Sequence, residues 1–414
     1  MKQSKYNFRH IIIKKPKFKI NDVICLKLII LSIFIFNYPL REKFCPILKD
    51  VNILFYCALS LLLYINRRKL YLLQFWGITG LIIWCILVNL YQTVSVNQVI
   101  YFLIVTILPL YILTISFDPL NQEYSEEIIR QTVKFFNSFI HLLFIIFIFD
   151  FFSNNGVTKI LTTIFTPYGR DWLSEGGFSY RYHFYFAHPL YTAVLVMVYY
   201  LANILCAKYG IFTGTSYWKF HFIAAVLLLS TASKAAAALF CFGFFLFNLR
   251  LNRFLLSAIM MLGVYFTGAM NFIIERFLRE GTGSSGRNQG VMAAFRSGLF
   301  NIHLFTGCGQ NTNFKITESL GSIVTSAIGE YPVLIYALSY GLLFTFILYS
   351  ILFFGPIKKA LNYKAYSIMI CITILFIQIN MFNGLMALAE VQIVYSLFLV
   401  FCMMFLRKNK YILS

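Results

Sequence analysis

The sequence predicts an all-α polytopic integral membrane protein with about twelve transmembrane helices and a long outward, periplasmic loop between helices 9 and 10. Three observations carry this expectation. The 414 residues are 60% hydrophobic and only 12% charged, with a mean hydropathy of +0.76, whereas a soluble domain is roughly 45–50% apolar and about 25% charged. The apolar residues fall in long runs, close to the roughly 20 residues that a bilayer-spanning helix needs. The net charge of +20, from 35 Lys and Arg against 15 Asp and Glu, sits mostly in short connections between those runs. There it acts as a topology signal and not as a nucleic-acid footprint. A single soluble domain and a disordered chain are both excluded.

Residues 1–19 carry Lys2, Lys5, Arg9, Lys14, Lys15, Lys17 and Lys19 and form a basic cytoplasmic N-terminus. The apolar run at 20–37 has a signal-peptide look. No small-x-small cleavage site follows it and more spans come soon after, so it is taken as an uncleaved first helix. Further spans are expected at about 51–65, 70–90, 97–117, 135–152, 184–206, 219–232, 235–249, 254–274, 330–354, 365–385 and 388–406. Arg67-Arg68-Lys69, Arg130 with Lys134, Lys208 with Lys219, Arg250 with Arg253, and Lys358, Lys359 and Lys364 all follow an even number of spans. Arg407, Lys408 and Lys410 lie in the tail at 407–414. The positive-inside rule then places both termini in the cytoplasm and makes 20–406 one transmembrane domain.

Residues 219–249 admit two readings. One long helix would bury Lys234 at its middle, at a cost of several kcal/mol, and would turn the later basic connections outward. Two short helices meeting at Ser230-Thr231-Ala232-Ser233-Lys234 leave the cation at the outer mouth of the bundle, and this reading is preferred.

The two long outward loops, at about 153–183 and 275–329, hold Lys159, Arg170, Arg181, Arg276, Arg279, Arg287, Arg296 and Lys315. Outward cations oppose the topology signal and so call for another reason. The second loop is rich in glycine and small polar residues, with a short amphipathic helix expected at about 288–301. An arginine guanidinium grips phosphate through paired hydrogen bonds and neutralises a leaving group without a metal. Arg181, Lys234 and Arg287 are the candidates for that role; the plainer alternative has them bind anionic headgroups or satisfy loop carbonyls. His183, His188 and His303 lie near the loops as possible proton relays, against a structural role for each. His141 and His221 are packing groups. Glu330 opens a span just after Gly329, placed either as a general base or as a charge favoured by the helix dipole. No paired aspartates have divalent-metal spacing, and Gly283-Ser284-Ser285-Gly286-Arg287 lacks the Gly-Lys-Ser/Thr ending of a phosphate-binding P-loop. The nine cysteines lie mostly inside apolar runs and show neither a disulfide framework nor metal spacing.

Several stretches between about 177 and 345 resemble the O-antigen polymerase and O-antigen ligase superfamily. They are Gly177-Phe178-Ser179-Tyr180-Arg181 with His188-Pro189, and Leu229-Ser230-Thr231-Ala232-Ser233-Lys234-Ala235. Further on come Gly286-Arg287-Asn288, Phe305-Thr306-Gly307-Cys308-Gly309-Gln310-Asn311, and Ser339-Tyr340-Gly341-Leu342. The chain departs from the family pattern at Lys234, where an arginine is usual, and after Arg287, where a tryptophan is missing. Glu330 stands where the ligases carry His-Asn. The resemblance implies a metal-independent, inverting glycosyl transfer at the outer face of the bacterial inner membrane, with no cofactor. The donor would be a glycan on undecaprenyl pyrophosphate, and the acceptor a hydroxyl of a newly flipped, lipid-linked repeat unit. Arg181, Lys234 and Arg287 would hold pyrophosphate, and Glu330, His188 or His303 would supply the base. Arg170, Gly307, Gly309 and Asn311 would contact glycan. The implied partners are the lipid-linked oligosaccharides, the bilayer and a chain-length regulator. Three rivals remain open, one of them a polytopic acyltransferase or sensor. A ligase differs in its acceptor, and a flippase would place more charge inside the spans and show two matching halves.

Overall fold

The computed structural model describes residues 20–117, 122–153, 156–165, 182–184, 186, 188–248, 274, 291–292, 295–296, 301–321, 331–382, 385 and 389–413. These residues are helical throughout, apart from turns, loops and one isolated antiparallel bridge between Leu70 and Ile115. The first half holds α1 (Ile20–Phe34), α2 (Tyr38–Phe44), α3 (Ile53–Ile65), α4 (Leu72–Tyr91) and α5 (Val96–Phe102). Helix α5 runs on through a π turn at Leu103–Ile107 and a 3-10 stretch at Leu108–Thr114. Next come α6 (Gln122–Phe152), α7 (Gly156–Phe165), α8 (Pro189–Lys208), α9 (Tyr217–Ser230) and α10 (Lys234–Phe247). The C-terminal part comprises α11 (Thr312–Leu320), α12 (Pro332–Tyr340), α13 (Leu342–Tyr349), α14 (Gly355–Asn362), α15 (Tyr366–Asn380) and α16 (Ala389–Leu413).

Six helices are long and apolar enough to cross a bilayer: Leu72–Tyr91, Val96–Thr114, Glu123–Phe152, Pro189–Lys208, Leu342–Asn362 and Ala389–Leu406. A seventh candidate is the pair Asp22–Phe34 and Tyr38–Phe44, bent by 75°. Four shorter apolar helices, α3, α9, α10 and α15, complete the set among the described residues. Each falls on an expected span except Tyr38–Phe44, which lies beyond the run expected at 20–37; the span expected at 254–274 lies outside the described residues. The protein is a helical membrane protein by these helices. Their surfaces agree: Leu72, Leu73, Trp76, Leu87 and Leu90 of α4 and Leu142, Ile145 and Phe149 of α6 are exposed, a lipid-facing pattern that water would not tolerate over so large an area.

The core lies around α8 and α16, whose apolar windows are 89% and 94% buried by their neighbours. Helix α16 packs on the 3-10 part of α5, on α8 and on α15. Aromatic stacks fill the gaps, such as Phe353 on Phe376 at 4.2 Å between centroids and Tyr209 on Phe405 at 5.2 Å. Two polar networks lie toward the end that carries the basic connections. His141 Nε2 meets the Tyr199 hydroxyl at 3.2 Å, and Asn137 donates to Asn203 at 2.9 Å. His221 Nδ1 lies 2.8 Å from the Tyr217 carbonyl oxygen, and Asn248 faces His221 Nε2 at 3.3 Å. Both histidines thus serve packing, as their place in the spans suggested.

The expected boundaries change in three places. Helix α6 begins at Gln122 and is 31 residues long, well before the expected start at 135. Its first turns carry Glu123, Glu126, Glu127, Arg130 and Lys134, so hydropathy conceals an amphipathic helical entry. The span expected to start at 184 starts at Pro189, capped by His188. The span expected as one piece at 330–354 breaks at Gly341, whose φ of +92° favours glycine.

The 219–249 stretch is split. Helix α9 ends at Ser230 and α10 starts at Lys234. Ala232 takes φ +51° at the corner, and Ser233 caps α10 by accepting from the Ala236 amide at 3.3 Å.

Candidate functional site at the loop-bearing end

The end of the bundle opposite Arg67-Arg68-Lys69 and Lys358-Lys359 gathers the C-termini of α1, α4, α9 and α15 and the N-termini of α3, α8, α10, α12 and α16. Chain alternation brings them there, and side chains tie them together. The Tyr191 hydroxyl donates to the Ile33 carbonyl at 3.3 Å, and the Tyr336 hydroxyl donates to the Leu385 carbonyl at 3.0 Å.

The first loop meets this end at the α9–α10 corner. The Tyr182 amide donates to the Ser230 carbonyl at 3.0 Å. Thr192 Oγ1 donates to the His183 carbonyl at 3.2 Å, which anchors the loop to α8. His188 is the N-cap of α8, and its Nδ1 accepts from the Leu190 amide at 3.1 Å. An accepting Nδ1 assigns the neutral ring's proton to Nε2. In this state His188 presents a donor, not a base, to anything beyond its cap. Ser230 and Thr231 close locally, their hydroxyls donating to the Leu227 carbonyl at 2.9 Å and the Leu228 carbonyl at 2.7 Å. Lys234 is the first residue of α10 and half-buried. A cation there stands at the positive end of the helix dipole. A lysine beside the first turn of a helix is an arrangement that suits phosphate.

Behind this corner lies Gln378 of α15. Its side chain is buried with neither amide atom paired among the described residues. Ile374 and Gln378 share one face of α15, and a Cβ on Gly243 of α10 would meet Ile374 at 3.1 Å. That face therefore looks toward α10.

The second loop meets the bundle at the α12–α13 break. The Leu342 amide donates to the His303 carbonyl at 3.0 Å, Leu343 to Leu304 at 3.0 Å, and Cys308 to Leu338 at 2.9 Å. Glycine is required on both sides of this contact. A Cβ on Gly307 would stand 2.3 Å from the Leu338 carbonyl oxygen, and one on Gly341 would stand 2.9 Å from the Leu304 oxygen. Gly309, at φ +59°, presses on Asn89, whose Oδ1 accepts from the Gln310 amide at 2.9 Å. Gln310 Nε2 donates to the Tyr340 hydroxyl at 2.6 Å, and Asn89 Nδ2 donates to it at 3.2 Å. Trp84 Nε1 donates to the Phe305 carbonyl at 3.1 Å, and Asn311 Nδ2 reaches the Gln92 carbonyl at 3.5 Å. Gly307, Gly309 and Asn311, expected to touch glycan, here hold the loop to the bundle. His303, within this loop, is exposed.

Arg170, Arg181, Arg287 and Glu330 lie outside the described residues, as does most of the helix expected at 288–301. The structure thus places Lys234 and His188 on the same side of the bundle and leaves those four without a position.

Sequence reasoning missed one feature at this end. Arg41 of α2 and Glu390 of α16 form a buried ion pair, with 2.5 Å between a guanidinium nitrogen and Oε1 and side-chain exposures of 5% and 2%. Arg41 Nε also donates to the Lys49 carbonyl at 2.8 Å. Asn37 is extended at φ −71° and ψ 170° and caps α2 by accepting from the Leu40 amide, with Pro39 in the first turn. The extended cap marks the 75° bend. Asn52 braces it, donating to the Ser32 carbonyl at 3.1 Å while accepting from the Phe55 amide at 3.1 Å. Glu390 inside an apolar run was the visible signal; its partner, 349 residues away, was not visible.

No protein-family model, no curated protein and no solved structure matches the chain.

Proposed function

We propose that the chain is a polymerase of lipid-linked surface glycan, an O-antigen polymerase in kind, with twelve crossings, both termini in the cytoplasm and its loops at the outer face of the bacterial inner membrane. The observation that carries this reading is how the family-like stretches meet. The segment after Arg181 binds the Ser230–Lys234 corner through Tyr182, and the segment at 303–308 binds the Leu338–Leu343 break. Stretches scattered over the sequence thus meet two by two at one end of the bundle.

In the reaction, the acceptor hydroxyl attacks the anomeric carbon of the donor glycan. The bond from that carbon to the pyrophosphate oxygen breaks, the hydroxyl proton passes to a base, and polyprenyl pyrophosphate leaves. Lys234, with Arg181 and Arg287, neutralises the leaving group. Glu330 takes the proton, with His303 as the alternative base. His188 acts as a donor through Nε2–H, in keeping with its cap geometry. No cofactor is needed for this chemistry.

The test is the surface glycan of a deletion strain. A polymerase deletion leaves the lipopolysaccharide core capped with a single repeat unit and no ladder. A bare core with lipid-linked glycan accumulating would support a ligase instead.

A flippase is the second reading. The Arg41–Glu390 pair and the buried Asp22, held by Asn66 at 3.0 Å, favour it, because charge inside membrane helices often marks a substrate path.

A further inference from the structure

We propose that residues 302–311 form a re-entrant hairpin whose tip, Leu304 and Phe305, dips into the bilayer from the loop-bearing end and presents its side chains to lipid acyl chains. This rests on the membrane placement alone and not on the glycan reading, so either can fail without the other.

The order of contacts along the chain shows a hairpin. Ile302 before the tip and Ile316 after it pack in one small cluster with Ile335 and Leu338 of α12. Between them the chain follows α4. The Phe305 carbonyl accepts from Trp84 Nε1 at 3.1 Å, the Gln310 amide donates to Asn89 Oδ1 at 2.9 Å, and Lys315 Nζ donates to Gln92 Oε1 at 3.1 Å. Phe305 is thus the deepest of these points, and the chain climbs α4 from there. Helix geometry sets the depth. Helix α4 has 20 residues, about 30 Å at roughly 1.5 Å per residue, which matches the hydrocarbon core of a bilayer. Trp84 stands seven residues before Tyr91, the last residue of α4, and so about 10 Å below that end. The Cα–Cβ bond of a helical residue tilts toward the helix N-terminus, here the basic end, so the indole leaves from its helix in the deeper direction.

Non-helical backbone at that depth needs its polar groups paired within the protein, and the tip meets this need. The break at Gly341 leaves the first amides of α13 without acceptors in their own helix. Leu342 gives its amide to the His303 carbonyl and Leu343 gives its amide to the Leu304 carbonyl, both at 3.0 Å. With Trp84 on Phe305, three successive carbonyls each receive a donor. Helix break and hairpin therefore satisfy one another. The side chains at the tip are apolar where the protein leaves them uncovered: Leu304 is 54% exposed and Phe305 57%. The Phe305 ring stacks on Trp84 with 6.4 Å between centroids. Beside them, Ile83 and Leu87 of α4 and Leu342 and Phe346 of α13 are exposed too, so the tip continues the lipid-facing surface of the bundle. A loop standing in water would need neither the three donors nor this apolar face.

The experiment is spin labelling of the full chain in phosphatidylcholine proteoliposomes. Cys45→Ser and Cys57→Ala first remove the two exposed cysteines, and this background carried through the labelling supplies the baseline. A label is then placed at Leu304→Cys or at Phe305→Cys. Leu87→Cys on the exposed face of α4 is the lipid reference, and Ser319→Cys at the exposed end of α11 is the water reference. Collisions with oxygen, which partitions into lipid, are compared with collisions with a nickel chelate, which stays in water. Both tip labels are expected to show the high oxygen-to-nickel ratio of Leu87→Cys. The two positions are labelled in separate proteins, so a folding failure in one leaves the other decisive. The ratio of Ser319→Cys at either tip position overturns the proposal, since it would place the loop in water.

Discussion

At the α12–α13 break a loop is locked to the bundle by three backbone hydrogen bonds and three glycines, one of them within 2.3 Å of backbone if given a Cβ. At the α9–α10 corner the loop meets the bundle through the Tyr182 amide on the Ser230 carbonyl and through Thr192 on the His183 carbonyl, and a lysine stands at the positive end of a helix. Both seams belong to stretches that resemble one family, yet they do different work. The glycine seam fixes shape, and its polar groups are turned toward one another. The lysine corner carries a half-buried cation, and Gln378 nearby is buried with neither amide atom paired among the described residues. Motif residues that recur together need not share a role; the contacts decide which carry chemistry.

The contrast can be broken most directly at the glycine seam. Gly307→Ala should cost about 3 kcal/mol or more, since its Cβ would collide with backbone and not with a flexible side chain. Gly341→Ala adds left-handed strain of about 1–2 kcal/mol to its own close contacts. Thermal unfolding in detergent and glycan synthesis should fall together in both. A Gly307→Ala protein that melts like wild type but makes no glycan would put this loop into the chemistry instead.

Next in size is the pair behind the seams. Arg41→Ala should cost about 3–5 kcal/mol by leaving Glu390 buried and unpaired, while Arg41→Met with Glu390→Leu should recover most of it. The recovery, read as melting temperature, separates a structural pair from a substrate path. A double variant that melts normally yet has lost all activity would favour the transport reading.

His188→Ala should cost about 1 kcal/mol for the lost cap, and His188→Asn should restore the cap. Glycan synthesis that stays low in the Asn variant at normal stability would show that Nε2–H is used.

Lys234→Gln has the smallest expected effect on the fold and a large one on the reaction. Removing a cation from the first turn should leave stability unchanged or raise it by a few tenths of a kcal/mol. Losing a charged hydrogen bond of about 1.5–3 kcal/mol should cut polymerisation roughly 10- to 100-fold. Lys234→Arg should retain activity, because Arg also grips phosphate.

Much of the fold was legible in the sequence. The split between Ser230 and Lys234 followed from the cost of burying a cation in lipid, and the basic connections marked where helices turn. The start of α6 was not legible, because Glu123 through Lys134 lower the hydropathy of a stretch that is helical for amphipathic reasons. The break at Gly341 was hidden in a continuous apolar run, since only the approach of Leu304 and Thr306 requires it. At the candidate site, the positions of Lys234 and His188 at helix starts on one end of the bundle were readable from the run boundaries. The Arg41–Glu390 pair was not, because pairing across 349 residues leaves no local pattern. The packing role of Gly307 and Gly309 needed the facing backbone to be known.

The activity proposed for the chain is the formation of glycosidic bonds between lipid-linked repeat units. The most direct measurement reconstitutes the purified full chain in proteoliposomes with lipid-linked repeat units and separates the products by size. A ladder of longer lipid-linked glycans is expected, with polyprenyl pyrophosphate released for each bond formed, and little of either from Lys234→Gln. Repeat units that cross the bilayer without growing longer would contradict it.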